Sequence, residues 1–238
     1  MALKKNKTGS NMYPWVTHMH EHLGGECPHK CKYCYVDHPV SGRPSKYCGP
    51  LSLFEHEFEV CYGGFKDTKT IFIEYMNDLF ANAVSEAWIN RIIAHCCVWP
   101  ENTYVFQTKN PSRYLNYLDK FPPNSILGTT IETNRIIDGI SEAPIPESRW
   151  LSMRHVSSRM PMNFKLFVTI EPVLAFDVKT LASWIGDIHP HFLNLGADSK
   201  SHNLPEPTVK DVMDLVEELK QYGIELREKH NLARLKQI

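Results

Sequence analysis

Seven short apolar or β-branched runs, with helix-like stretches between them, limit this chain more than any other feature. The runs are Trp15–Met19, Thr70–Tyr75, Thr103–Thr108, Ser125–Ile131, Lys165–Ile170, His191–Leu195 and Ile224–Arg227. Most are near-continuously apolar, as expected of parallel strands covered on both faces. Ser85–Cys97 carries Trp88, Ile89, Ile92, Ile93 and Cys96 on one helical face and stops near Pro100. Asn110-Pro111 is a cap followed by proline, opening a helix with Tyr114, Leu115 and Leu118 inward. Pro146–Arg159 reads as a further helix, and Asp177–Ile185 as one that ends at Gly186. Thr208–Tyr222 opens with Thr208-x-x-Asp211, a capping-box variant, buries Val209, Val212, Val216 and Leu219, and ends at Gly223. Strands alternating with helices make βαβ units, because parallel neighbours need a crossover. The expected fold is therefore α/β, a partial (β/α)6–7 TIM-like barrel with parallel strands. One domain spans 1–238, with 1–12 as a flexible arm and 36–69 as an irregular connection or lid. Within that connection, Phe54–Val60 alternates as an edge strand would.

The loop after the first run reads Cys27-Pro-His-Lys-Cys31-Lys-Tyr-Cys34-Tyr, a C-x3-C-x2-C spacing. In a barrel of this kind, reactive residues sit at the C-terminal ends of strands, where this loop falls. Three thiolates can hold three irons of a cubane [4Fe–4S] cluster. The fourth iron then has no protein ligand and is open to a small molecule. The alternative is a Cys3His zinc knuckle completed by His18, His20, His22 or His29, although only Cys31 and Cys34 have the usual zinc spacing. A disulfide framework fits poorly with seven cysteines, an odd number, in 238 residues. Met1–Ser10 is Lys-rich and polar, unlike a signal peptide.

Apolar residues make up 42% of the chain, yet no run approaches the roughly 20 needed to span a membrane. A cytoplasmic protein with no membrane partner is expected. A net charge of −1 argues against an extended nonspecific nucleic-acid surface, but leaves room for a local basic channel. Lys4, Lys5 and Lys7 form a short basic arm, the usual composition of a frayed terminus.

Polar residues follow each later strand: Glu74-Tyr75-Met76-Asn77-Asp78, Gln107-Thr108-Lys109, Thr129-Thr130-Ile131-Glu132, Thr169-Ile170-Glu171-Pro172, Asn194-Leu195-Gly196-Ala197-Asp198 and Glu228-Lys229-His230. A single acidic residue there can be no more than a helix cap. Six such ends converging on one face is the pattern of a site.

The cysteine spacing, with Tyr33 directly before the third cysteine, resembles the radical S-adenosylmethionine (SAM) superfamily. Beyond the loop, Ile71–Phe80, Phe106–Pro111, Leu127–Glu132 and Ile170–Val173 resemble a phage- and bacteria-associated radical SAM family of largely unassigned function. That family tends to have Gly-Gly-Glu-Ser where this chain has Gly196-Ala197-Asp198-Ser199. The layout is also distantly similar to spore photoproduct lyase, over the cysteine loop, Asn77-Asp78 and Thr108-Lys109. The resemblance implies a [4Fe–4S] cluster on Cys27, Cys31 and Cys34, SAM as cofactor, and an external electron donor such as flavodoxin or ferredoxin. It also implies a bacterial or phage-infected cell.

SAM makes chemical demands that the strand ends can meet. Lys109 suits its carboxylate, Asn77 and Asp78 its ammonium, and Thr130 and Glu132 its ribose. Tyr33 can border the adenine, and Glu171, on the same rim, is a further cofactor-binding candidate. Asp198 is a candidate substrate contact. The lyase uses a late cysteine as hydrogen donor; no cysteine follows Cys97 here. Either no thiol is needed or Cys48, Cys61, Cys96 or Cys97 supplies it, with Cys48 in the connection the candidate. The expected substrate is a nucleobase, nucleotide or DNA, for modification or repair. The alternatives are a peptide-modifying radical enzyme, which often carries a cysteine-rich C-terminal extension, and a zinc-stabilised binding module without catalysis.

Overall fold

All seven apolar runs contribute strands, and all lie in one sheet. A computed structural model describes residues 3–36, 42, 44–63, 68–200 and 202–236. The strands are β1 (Lys4–Lys5), β2 (His18–His20), β3 (Leu23–Gly24), β4 (Ser52–Leu53), β5 (Thr70–Ile73), β6 (Thr103–Thr108), β7 (Ser125–Thr130), β8 (Lys165–Ile170), β9 (Phe192–Leu195) and β10 (Glu225–Glu228). The helices are α1 (Glu86–Cys97), α2 (Pro146–Arg159), α3 (Val178–Ile188) and α4 (Val209–Lys220). The main sheet has the order β1-β2-β5-β6-β7-β8-β9-β10 and is open, as a partial barrel is. Every neighbour pair in it is parallel except β1 with β2. β3 and β4 form a separate antiparallel ribbon.

The strands read as apolar on both faces because both faces are buried. Ile71, Tyr104, Leu127, Leu166 and Leu193 belong to the larger core, with the helices. Their alternates Met19, Phe72, Val105, Ile126, Phe167 and Phe192 form a second, inner cluster. Register stacks this inner layer, with Met19 opposite Phe72, Phe72 opposite Val105, and Val105 opposite Ile126. Phe167 stands opposite Gly128, where a β-carbon would lie 2.1 Å from the Phe167 ring. Glycine is thus required there by packing. Burying each ring contributes about 1.5–3 kcal/mol.

The N-terminal segment plugs this inner face. Tyr13 stacks on Trp15 at 5.2 Å, and Trp15 meets Phe192 edge-on at 5.2 Å. The first strand therefore begins at His18 rather than at Trp15, which serves as a wedge. Lys4–Lys5, read as part of a loose arm, pair with His18 and Met19.

Local signals held where their partners were local. Thr208 accepts from Asp211 N at 3.1 Å while Asp211 accepts from Thr208 N at 3.2 Å, a complete capping box. Ser85 caps α1 by accepting from Trp88 N. Other signals yielded to tertiary structure. Asn110-Pro111 opens a 3-10 turn, Pro111–Asn116, and the Asn110 amide donates to Phe80 O and Asn82 instead of capping it. α3 runs through Gly186 to Ile188 and ends on left-handed His189; a β-carbon at Gly186 would lie 2.3 Å from the half-exposed Tyr222 ring, which would have to move aside. Glu55–Glu59 is a 3-10 turn, not an edge strand. Pro39 and Gly64 of the expected connection fall outside the described residues. Among the described residues, no helix is long and apolar enough to cross a membrane.

Candidate functional site

The C-terminal ends of the parallel strands surround an open cavity of about 620 Å³. Its floor is a polar layer above the inner apolar one. The Tyr13 hydroxyl lies 3.0 Å from Gln107 Oε1 and 2.8 Å from Thr169 Oγ1, and Gln107 donates to Thr130 Oγ1 at 2.8 Å. Every parallel strand sends residues to the cavity wall: Cys27, Cys31, Tyr33 and Cys34 after β2, Glu74–Asp78 after β5, Lys109 after β6, Thr130 at the end of β7, Glu171 after β8, Asp198 after β9 and Lys229 after β10.

The end of β5 holds the cysteine loop. The Asp78 carboxylate accepts from His29 Nε2 at 2.9 Å, Thr108 Oγ1 at 2.7 Å, Lys109 N at 2.8 Å and Phe80 N at 2.9 Å. Asn77 donates to Gly25 O at 3.2 Å. His29, between the first two cysteines, is thus tied to a strand end. Burial would raise the Asp78 carboxyl, but His29 and these bonds outweigh it and hold it below its ordinary value.

The three thiols are half-buried and all line the cavity. Burial pushes Cys27 up to about 12, with the Asp78 charge adding to it, and burial also raises Cys31 against the pull of Lys109. Both therefore stay protonated until a metal displaces the proton. The all-thiolate donor set is the one an iron–sulfur cluster takes.

Beside the loop is a buried charge cluster. Glu132 accepts from Arg149 Nη1 at 2.7 Å, from Lys109 Nζ at 3.0 Å and from the Tyr33 hydroxyl. The Lys109 ammonium also lies 5.1 Å from the Tyr33 ring centre. Burial would raise Glu132, but Arg149 and Lys109 together bring it down to about 2. Tyr33, Lys109 and Thr130 line the cavity; Glu132 stands behind them. Glu171 accepts from Lys229 at 2.8 Å and Asn231 at 3.1 Å. Asp198 accepts from Lys200 N at 3.0 Å and His202 Nδ1 at 2.7 Å. Cys48 is exposed, directs its thiol to Pro44 O at 3.6 Å and lies off the cavity wall, as do Cys61, Cys96 and Cys97.

Sequence reasoning missed Arg149 and the His29 tie. Arg149 shares a helical face with buried Met153 and Val156, four and seven residues on, and that periodicity was the available signal.

The same architecture occurs in solved structures of spore photoproduct lyase. A cysteine-to-serine variant of that enzyme superposes with a TM-score of 0.64 at 11% identity, covering 95% of this chain and 81% of the other. A variant with bound AdoMet and dinucleoside spore photoproduct gives 0.57 at 13%, covering 92% and 66%. The lyase complexed with dinucleoside spore photoproduct gives 0.59 at 11%, covering 92% and 79%. At such identities the likeness is one of fold alone. Sequence comparison with curated proteins finds no match. The profile of a family described as a protein of unknown function, DUF5131, matches residues 25–176, from the cysteine loop through the end of β8 and more than half of the chain. The chain belongs to the DUF5131 family.

Proposed function

We propose that this protein is a radical SAM enzyme acting on a nucleobase, nucleotide or DNA. The observation that carries the reading is that three cysteine thiols and the polar ends of all six following strands line one cavity. Cys27, Cys31 and Cys34 would hold a [4Fe–4S] cluster. With SAM bound, that group supplies a one-electron cleavage of the sulfonium to a 5′-deoxyadenosyl radical able to take hydrogen from an unactivated carbon.

The chain's own residues bind and orient. Lys109, poised by Glu132 and the Tyr33 ring, meets the SAM carboxylate. Asn77 and Asp78 fix the loop and offer oxygens toward the ammonium. Thr130 and Glu171 serve ribose and substrate hydroxyls, and Asp198 borders the substrate. The Tyr13–Gln107–Thr169 floor closes the cavity from below and excludes bulk water. Reducing equivalents come from an external donor of the flavodoxin or ferredoxin kind.

The rim favours an anionic, aromatic substrate. Lys4, Lys5, Lys7 and Lys200 are exposed around the mouth, with Tyr35 and Tyr75 between them. With a net charge of −1 for the whole chain, this positive potential is local to the opening. Lysines suit phosphates and tyrosine rings suit bases. The solved lyase complexes with a dinucleoside photoproduct are in keeping with this choice.

The test is anaerobic reconstitution with iron and sulfide, reduction, addition of SAM, and mass spectrometry for 5′-deoxyadenosine. Its formation in proportion to the iron bound is the expected result. A colourless zinc protein that leaves SAM intact would overturn the reading in favour of a binding module. Binding of short oligonucleotides, weakening steeply with salt, is expected in preference to peptides.

A further inference from the structure

Away from the cavity, three histidines far apart in sequence meet in the core. His20 and His22 lie at and just beyond the end of β2, and His95 lies on α1. One donor nitrogen of each lies within 4.8 Å of the others, and all three rings are buried.

The hydrogen bonds determine which nitrogens face inward. On the outer side, His20 Nε2 lies 3.1 Å from Glu57 Oε2, His22 Nδ1 lies 2.8 Å from Glu74 Oε1, and His95 Nε2 lies 3.1 Å from Val60 O. Each outer partner is an acceptor, so each outer nitrogen carries the proton. In neutral rings the inner nitrogens, His20 Nδ1, His22 Nε2 and His95 Nδ1, are then bare lone pairs. Yet His22 Nε2 and His95 Nδ1 stand 2.8 Å apart. The Tyr62 hydroxyl lies 3.3 Å from His22 Nε2 and also bonds His20 Nδ1, offering one proton to three lone pairs. Two facing lone pairs repel unless a cation or an extra proton lies between them.

We infer that His20, His22 and His95 form a site for one divalent transition-metal ion, zinc foremost, with the Tyr62 oxygen at the fourth corner. Tetrahedral Zn–N bonds of 2.0–2.1 Å place neighbouring ligand nitrogens about 3.3 Å apart, between the 2.8 Å that separates His22 Nε2 from His95 Nδ1 and the 4.8 Å within which one nitrogen of each of the three rings lies. Imidazole is the ligand zinc favours beside thiolate. The carboxylates and carbonyl behind the rings are the partners that orient metal-bound histidines. The ion would clamp the end of β2, from which the cysteine loop departs, onto α1 and the Tyr62 segment. Its role is structural and separate from the cluster. The rival arrangement is a buried His22 imidazolium donating to both Glu74 and His95.

The deciding measurement is the zinc content and zinc-edge X-ray absorption of the intact protein, purified with its iron. One zinc per chain in a nitrogen and oxygen shell near 2.0–2.1 Å is expected. Zinc should persist when Cys27, Cys31 and Cys34 are replaced by alanine, and be lost in His95→Gln with iron retained. Glu57→Gln should weaken zinc by about 10- to 100-fold. A sulfur shell near 2.3 Å would place zinc in the cysteine loop and overturn the site. Folded wild-type protein that takes up no zinc, with ¹⁵N shifts showing both His22 nitrogens protonated, would overturn it in favour of the imidazolium. The imidazolium result leaves the proposed function untouched, whereas zinc in the cysteine loop would count against the cluster as well; 5′-deoxyadenosine formation reads that second failure by itself.

Discussion

Replacing Glu132 by glutamine tests the buried charge cluster behind the cysteine loop. The Glu132 side chain is 3% exposed and accepts from Arg149, Lys109 and Tyr33. Its carboxyl drops from 4.5 to about 2, because Arg149 and Lys109 outweigh burial. That difference corresponds to about 3 kcal/mol favouring the ionised form in the folded state. Glutamine keeps the shape but removes the charge, leaving two cations buried without their counterion, and breaking such a pair typically costs 3–5 kcal/mol. A depressed carboxyl contributes its stability above its unfolded value and loses it as pH falls through its folded one. The wild-type advantage should therefore be about 3 kcal/mol at pH 7 and about half that near pH 3. Urea unfolding of wild-type and Glu132→Gln protein at several pH values measures it. For a chain of this length, about 3 kcal/mol also lowers Tm by roughly 6–12 °C. A difference below about 1 kcal/mol at pH 7, or one unchanged down to pH 3, would refute the account.

Cys31→Ala should abolish the cluster and all SAM cleavage; brown, active protein would count against the cysteine assignment. Lys109→Ala should keep the iron colour while weakening SAM binding by about 10- to 100-fold, the worth of one charge-assisted hydrogen bond; equal affinity by titration calorimetry would remove Lys109 from the SAM site. Gly128→Ala should destabilise by about 1–3 kcal/mol, because its β-carbon would lie 2.1 Å from the fully buried Phe167 ring. Gly186→Ala should stay within about 1 kcal/mol, since half-exposed Tyr222 can swing aside and alanine favours the helix. Equal losses at the two glycines in thermal melts would contradict this packing argument.

How much was readable in advance depended on how far apart the interacting residues lie along the chain. The Thr208–Asp211 box and the three-cysteine spacing each lie within a few residues, so both could be seen in the sequence itself. The strand ends were visible for a different reason. A parallel sheet brings all its C-terminal ends to one edge, so polar residues after each apolar run had to meet whatever their order. What topology alone does not specify is which of those residues pair. Lys109 and Glu132 looked like two independent SAM contacts, yet they neutralise each other 3.0 Å apart, with Arg149 supplied by a helix whose own pattern was weak. Gly186 read as a helix stop because glycine at a helix end is one locally, but Tyr222 from beyond the next helix occupies the space its side chain would need. The histidine cluster is the limiting case. His20, His22 and His95 each look like an unremarkable strand-end or helix residue, and only the pairing of β2 with β5 and the packing of α1 bring their nitrogens together. Chemistry made by one loop, or by one edge of a regular sheet, is therefore legible from residues and spacing. Chemistry made between a strand and a helix more than 70 residues later requires the fold.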